Sequence, residues 1–162
     1  MHILEYENYE ETKKHYDTDF SYNTYPCSIP LDFPCVPMHW HRETEIIYVK
    51  SGRGMVHADG HSYPVVNASI VLILPGSIHS IAQYESEAFS YENIILDMQM
   101  LIPKEGDTNS FNFFHRLQNF PEDFPVLIDR VPKAHRAVQI CLDRIDDLRT
   151  TYPAGYYHGI KG

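Results

Sequence analysis

Between Phe20 and Leu96 the chain alternates short apolar segments with closely spaced turn signals: Ser51-Gly52-Arg53-Gly54, Asp59-Gly60, Asn67-Ala68 and Pro75-Gly76. This spacing predicts a run of short antiparallel strands, and hence a mainly β sandwich or barrel. Asp59-Gly60, set between Met55–Ala58 and His61–Tyr63, is the strongest hairpin signature, because both central positions of such a turn favour positive φ. Ile70–Leu74 is a continuous, β-branched apolar run that predicts a central strand, and Tyr91–Leu96 predicts the last strand of the set. An irregular stretch follows, broken by Pro103, Gly106, Pro121 and Pro125, with one short helix expected over Ser110–Gln118.

From Pro132 the period changes. Ala134, Val138, Cys141, Leu142, Ile145 and Leu148 recur at three- and four-residue spacing, with Arg136, Gln139, Asp143, Arg144 and Asp147 on the other face, which predicts an amphipathic helix over Pro132–Arg149. Thr150–Gly155, with Pro153, ends it. Tyr156–Gly162 then resumes a helical pattern and stops, so the chain is expected to be a piece of something longer. Residues 1–19 are polar and acidic, with interleaved Tyr6, Tyr9 and Tyr16 and no clear period, and read as an arm.

Composition narrows the function classes. The 162 residues suffice for one domain with a real core, and 43% hydrophobic content argues against wholesale disorder. A net charge of −9, with 13 Lys and Arg scattered rather than clustered, predicts that this chain alone does not bind nucleic acid. No apolar run is long enough to span a bilayer, and Met1–Glu5 is too charged for a secretory signal, so cytoplasmic residence is expected. Cys27, Cys35 and Cys141 sit at no metal-ligand spacing and read as thiols in a reducing compartment.

The chemistry concentrates at His39-Trp40-His41-Arg42-Glu43-Thr44-Glu45. In an extended strand His39, His41 and Glu45 share one face, with Ile47 and Val49, while Trp40 and Tyr48 point away. His79, after the Pro75-Gly76 turn, supplies a third imidazole if its strand pairs across the barrel. Three imidazoles and a carboxylate suit a divalent transition metal (Zn, Ni, Mn, Fe or Cu). Alternatively, His41, Glu45 and His79 serve as direct polar contacts for an organic ligand. Ile47, Ile81 and Gln83 are further lining candidates. His57, His61, His115 and His135 are expected outside the site, the first two solvated beside their hairpin turn.

His39-x-His41-x-x-x-Glu45, followed by six residues and Gly52, resembles the first motif of the cupin superfamily. Leu74–His79 resembles the second, in which Gly76 is followed three residues later by His79. Phe33, Ala68 and Gln83 depart from the usual pattern in the direction of cupins that sense rather than catalyse. Glu45–Gly52 and Ile73–His79 are in addition similar to the arm-and-barrel domain of AraC-type transcription regulators.

The resemblance implies a cupin-like antiparallel β-barrel (jelly-roll) followed by a C-terminal α-helical dimerisation segment. The arm would occupy residues 1–19, the effector-binding barrel 20–100, and the connection and dimerisation helices 101–162, ending before a DNA-binding domain. It further implies a non-enzymatic sensor of a small molecule, with carbohydrates the leading class. The partners would be a homodimer mate through the 132–149 helix and DNA only through a missing C-terminal domain, with no membrane partner. Such regulators usually work without metal, although this chain keeps all four ligand positions. The rival readings are a metal-dependent cupin isomerase or oxygenase and a storage-like cupin.

Overall fold

The longest strand, β3 (Thr44–Ala58), is 15 residues long and belongs to both halves of the fold. The computed structural model describes residues 9–15, 21–102, 108–119 and 121–151; the expectations for Tyr6, Tyr16, Phe20 and the segment after Gly155 lie outside the described residues. The other strands are β1 (Tyr22–Ile29), β2 (Val36–His39), β4 (His61–Val66), β5 (Ile70–Ile73), β6 (His79–Gln83) and β7 (Phe89–Leu96). They are followed by helices α1 (Thr108–Asn119) and α2 (Pro132–Thr151).

All strand pairs are antiparallel. The first part of β3 pairs with β5 and β7, and β7 with β1. Its second part, from Arg53, pairs with β4 and β6, and β6 with β2. The change of partners coincides with an irregularity between Val49 and Ser51 and with Gly52 at φ 78°. Bulges and glycines let a strand turn a corner in this way without losing its ladder on either side. The curled sheet encloses a core of Ile47, Val49, Val56, Val65, Val71, Ile73, Ile81, Phe89 and Tyr91. The predicted Asp59-Gly60 hairpin is present, with φ of 47° and 81°.

The observed elements correct the sequence reading in one respect. The stretch carrying His39, His41 and Glu45 is not a single strand: β2 ends at His39, β3 begins at Thr44, and Trp40 forms an isolated parallel bridge with Glu10. Simple parity therefore does not place these three side chains together; the pairing His39↔His79 and Glu45↔Ile73 does. The bounds of the other predicted elements shift by a few residues, as frayed ends do.

Helix α2 lies on the outer face of β3 and β7. Leu142 is buried with Tyr48, Ile70, Ile94 and Leu96, and Val138 packs against the same cluster. Polar residues fix the contact. The Tyr48 hydroxyl donates to Asp143 Oδ1 at 3.0 Å and accepts from Gln139 Nε2 at 3.3 Å. Lys50 pairs with Asp146 at 2.7 Å and Glu92 at 3.2 Å, and Arg149 with Glu92 at 3.0 Å. Tyr48 does point away from the barrel interior, towards this helix. Ala134 and Cys141, expected on the apolar face, are exposed, together with Ala137 and Ile140.

A Cβ on Gly52 would stand 2.2 Å from the Ala88 carbonyl oxygen, whereas one on Gly60 meets nothing within 4 Å. Both positions have positive φ, so the comparison isolates the steric term. Gly60→Ala is expected to cost about 1 kcal/mol, and Gly52→Ala roughly 3 kcal/mol or more because backbone must move. Urea unfolding of the two variants measures the difference.

Candidate functional site

His39 stands at the end of β2, His79 at the start of β6, and Glu45 near the start of β3, with His41 in the irregular link between β2 and β3. Their ligand atoms all lie within 4.8 Å of one another. His41, Glu45 and His79 are almost wholly buried, at 3%, 1% and 1% exposure, while His39 is half-buried. The four residues predicted to converge do so.

Each imidazole is oriented by a backbone carbonyl two residues away. His39 Nδ1 donates to Pro37 O at 2.9 Å, His41 Nδ1 to Glu43 O at 3.1 Å, and His79 Nδ1 to Ser77 O at 2.9 Å. Carbonyl oxygens only accept, so the ring proton is assigned to Nδ1 and a neutral ring presents a bare lone pair at Nε2. Yet His41 Nε2 lies 2.8 Å and His79 Nε2 3.1 Å from Glu45 Oε2, itself an acceptor. Lone pairs facing one another at these distances require positive charge between them, supplied by added protons or by a metal cation.

The electrostatics agree. Burial alone would push the Glu45 carboxyl up, but hydrogen bonds from His41 and His79 and their charge outweigh it and hold it well below the usual carboxylate range. Burial opposes charge on His41, and its hydrogen bond and Coulombic attraction to Glu45 overcome that, raising its pKa. His39 is lowered by burial and by His79, and so favours the neutral form that can ligate.

Two members of the quartet, His39 and Glu45, line a cavity of about 560 Å³, which they share with Tyr25, Cys27, Tyr91 and Asn93. Glu45 Oε1 and Asn93 Oδ1 are buried without a hydrogen-bond partner. Tyr91 is 1% exposed, and burial, then Cys27, drive its hydroxyl pKa upward. Glu11 and His15 of the arm also line this cavity. Among the predicted lining residues, Ile47 and Ile81 are fully buried in the core, and Gln83 donates to Glu87 O at 3.3 Å. None of these three lines the cavity that His39 and Glu45 share.

Sequence reading missed Tyr25, Cys27, Tyr91 and Asn93. The signal that places them is register: Tyr91 opposes Val49, Asn93 opposes Ile47 and Tyr25, and Cys27 opposes Tyr91. His57, His61 and His135 are engaged elsewhere. His57 meets Ser62 Oγ at 2.9 Å, His61 meets Asp59 O at 3.1 Å, and His135 Nε2 donates to Ala68 O at 2.7 Å.

The family model for the AraC-like ligand binding domain matches residues 33–123. Among solved structures, a Cupin 2 conserved barrel domain protein from Salinispora arenicola is 25% identical. The match covers 51% of this chain and 69% of that one, at TM-score 0.44. A cupin protein from Bacteroides fragilis is 21% identical over 56% of this chain and 75% of that one, at TM-score 0.46. A protein described as a predicted oxalate decarboxylase from Thermotoga maritima is 25% identical over 45% and 64%, at TM-score 0.41. No curated protein matches.

The pair His41–Glu45 sets a pH signature. The lowered Glu45 pKa gives stability that is present above about pH 4.3 and fades as pH falls below it. The raised His41 pKa gives stability that is present below about pH 6.5 and is lost as pH rises through its folded value. In chelator, the Tm of the parent should exceed that of Glu45→Gln most between about pH 4.3 and 6.5, where the deficit is roughly 3 kcal/mol. Scanning calorimetry from pH 4 to 8 checks both the sign and the window.

Proposed function

The chain belongs to the AraC-like ligand-binding domain family, and we propose that it senses a small molecule in the barrel cavity, with a divalent transition metal held by His39, His41, Glu45 and His79. The observation that carries the metal is the convergence of lone pairs on Glu45 Oε2, with each ring locked by Nδ1 in the orientation ligation needs. Zn, Ni, Mn or Fe suits this mixed imidazole and carboxylate set. When bound, the ion would act as a fixed positive centre for oxygen atoms of a ligand. Glu45 Oε1 and Asn93 Oδ1 offer acceptors to a donor-rich molecule, in keeping with a carbohydrate.

We read the site as a sensor rather than a catalyst. Burial pushes both the Cys27 thiol and the Tyr91 hydroxyl up, so neither is prepared as nucleophile or base near neutral pH. The ligand would bias one arrangement of the domain by differential affinity. In the whole protein that bias would reach DNA through a further helix-turn-helix domain, since a net charge of −9 leaves this chain poorly suited to phosphate. A cytoplasmic setting fits that role. No helix among the described residues is long and apolar enough to cross a membrane. Domain extents of 1–19, 20–100 and 101–162 remain part of this proposal.

Pairing of two chains through residues 132–149 is supported by the exposed apolar stripe of α2, which includes Ala137, Ile140 and Cys141. Ile140→Glu is expected to turn a dimer into a monomer in light scattering while leaving the barrel folded. For the site, elemental analysis of protein purified without added metal should find stoichiometric metal in the parent and none in His41→Ala. Metal-free parent protein that still gains thermal stability from a sugar would replace the metal with direct ligand contacts.

A further inference from the structure

Residues 9–15 contribute Glu11, Lys13 and His15 to the cavity lining and are pinned at both ends. At one end Trp40 N donates to Tyr9 O and Glu11 N donates to Trp40 O, each at 2.8 Å. At the other, the His15 carbonyl accepts from Asn23 Nδ2 at 2.7 Å and from the Tyr25 hydroxyl at 3.3 Å, both on β1. Between these pins the Glu11 carboxylate turns inward. Its Oε2 lies 3.2 Å from His15 Nε2 and 3.8 Å from His39 Nε2. His15 is 5% exposed, and its ring is 6.0 Å from that of His41. Glu10, the neighbouring residue, instead faces Arg42 at 3.3 Å on the surface.

We propose that Glu11 is a further ligand for the cation of the quartet, so that loading the site fastens the 9–15 segment across the cavity. The inference rests on the cation reading given above. Two atoms bound to one ion by bonds of about 2.0–2.2 Å stand no more than about 4.3 Å apart. The Glu11–His39 separation of 3.8 Å falls inside that limit, and the quartet, whose atoms spread to 4.8 Å, draws in to meet it on loading. Glu11 lies outside the group of four mutually close ligands, and His39 is the member it approaches.

Charge gives a second reason. A divalent ion on neutral imidazoles and the single carboxylate of Glu45 keeps one uncompensated positive charge in a largely buried site. A second carboxylate removes it. The backbone gives a third, because Glu11 is paired to Trp40, the residue between ligands His39 and His41. Glu11 and the two ligands are thereby joined through one backbone pairing. His15 meets the same Oε2 that approaches His39 and so holds the Glu11 carboxylate in place, as a partner in the outer shell of a metal site does.

The test uses Zn²⁺ alone, titrated into metal-free protein against a chromophoric chelator. Glu11→Gln keeps the shape and a hydrogen-bonding group for His15 and removes the charge. It is expected to weaken zinc binding by roughly tenfold to a hundredfold, whereas Glu10→Gln leaves it unchanged. Zinc should also slow tryptic cleavage after Lys13 and Lys14 in the parent but not in Glu11→Gln, with Trp40, the sole tryptophan, reporting the same closure by fluorescence. Equal zinc affinity in parent and Glu11→Gln, or cleavage in the parent that ignores zinc, overturns the role of Glu11. A parent that binds no zinc overturns the cation reading itself, and this inference with it.

Discussion

A carboxylate with 1% exposure has to be compensated, and much of this structure can be understood as the means of compensating Glu45. An ionised acid in an apolar barrel is strongly disfavoured unless opposite charge and hydrogen bonds reach it. Here two imidazole nitrogens contact one of its oxygens while the other oxygen is left for something else. The carbonyls of Pro37, Glu43 and Ser77 then hold the three rings so that Nε2, not Nδ1, points inward. With that tautomer the ring–carboxylate contacts are favourable only around a cation or an added proton. The site is consequently demanding of its occupant.

Strand β3 gives the demand a scaffold. It carries Glu45 where it pairs with β5 and β7, and past the corner at Gly52 it pairs with β6, the strand that starts at His79. The Glu45–His79 contact, 34 residues apart in sequence, is thus a direct result of one strand serving both halves of the sheet. The outer face of the same strand presents Tyr48 and Lys50 to helix α2, where Asp143 and Asp146 receive them. A single strand therefore contacts both the quartet and the helix. Contact of this kind becomes regulation only if a ligand distinguishes two arrangements of the parts in contact.

Further polar groups of the cavity wall come from β1 and β7. Tyr91 and Asn93 on β7, with Tyr25 and Cys27 on β1, bring hydroxyl, amide and thiol groups into a space also lined by apolar Phe33, Val36 and Ile95 and by charged Lys13 and Asp32. A few placed polar groups in a cavity are what fix the orientation of a small ligand. Residues 9–15 add Glu11, Lys13 and His15 to this space and are held by backbone hydrogen bonds with Trp40 and by the side chains of Asn23 and Tyr25 on β1.

Much of this was legible in the residues alone, and the reason is local. Alternation, turn chemistry and the three- and four-residue period are properties of contiguous segments, so the strands, the Asp59-Gly60 hairpin and α2 could be read directly. The motif spacing around His39, His41, Glu45 and His79 identified the quartet, although the parity argument assumed one strand where the structure has β2, a link and β3. Tertiary structure alone decided the rest, because it depends on register between segments distant in sequence. Register put Asn93 and Tyr91 into the cavity, buried Ile47 and Ile81 in the core, engaged Gln83 with the Glu87 carbonyl, and turned Gln139 and Asp143 of α2 towards Tyr48. It also brought Glu11 of a segment without any period to within 3.8 Å of His39, a proximity that no pattern along the chain encodes.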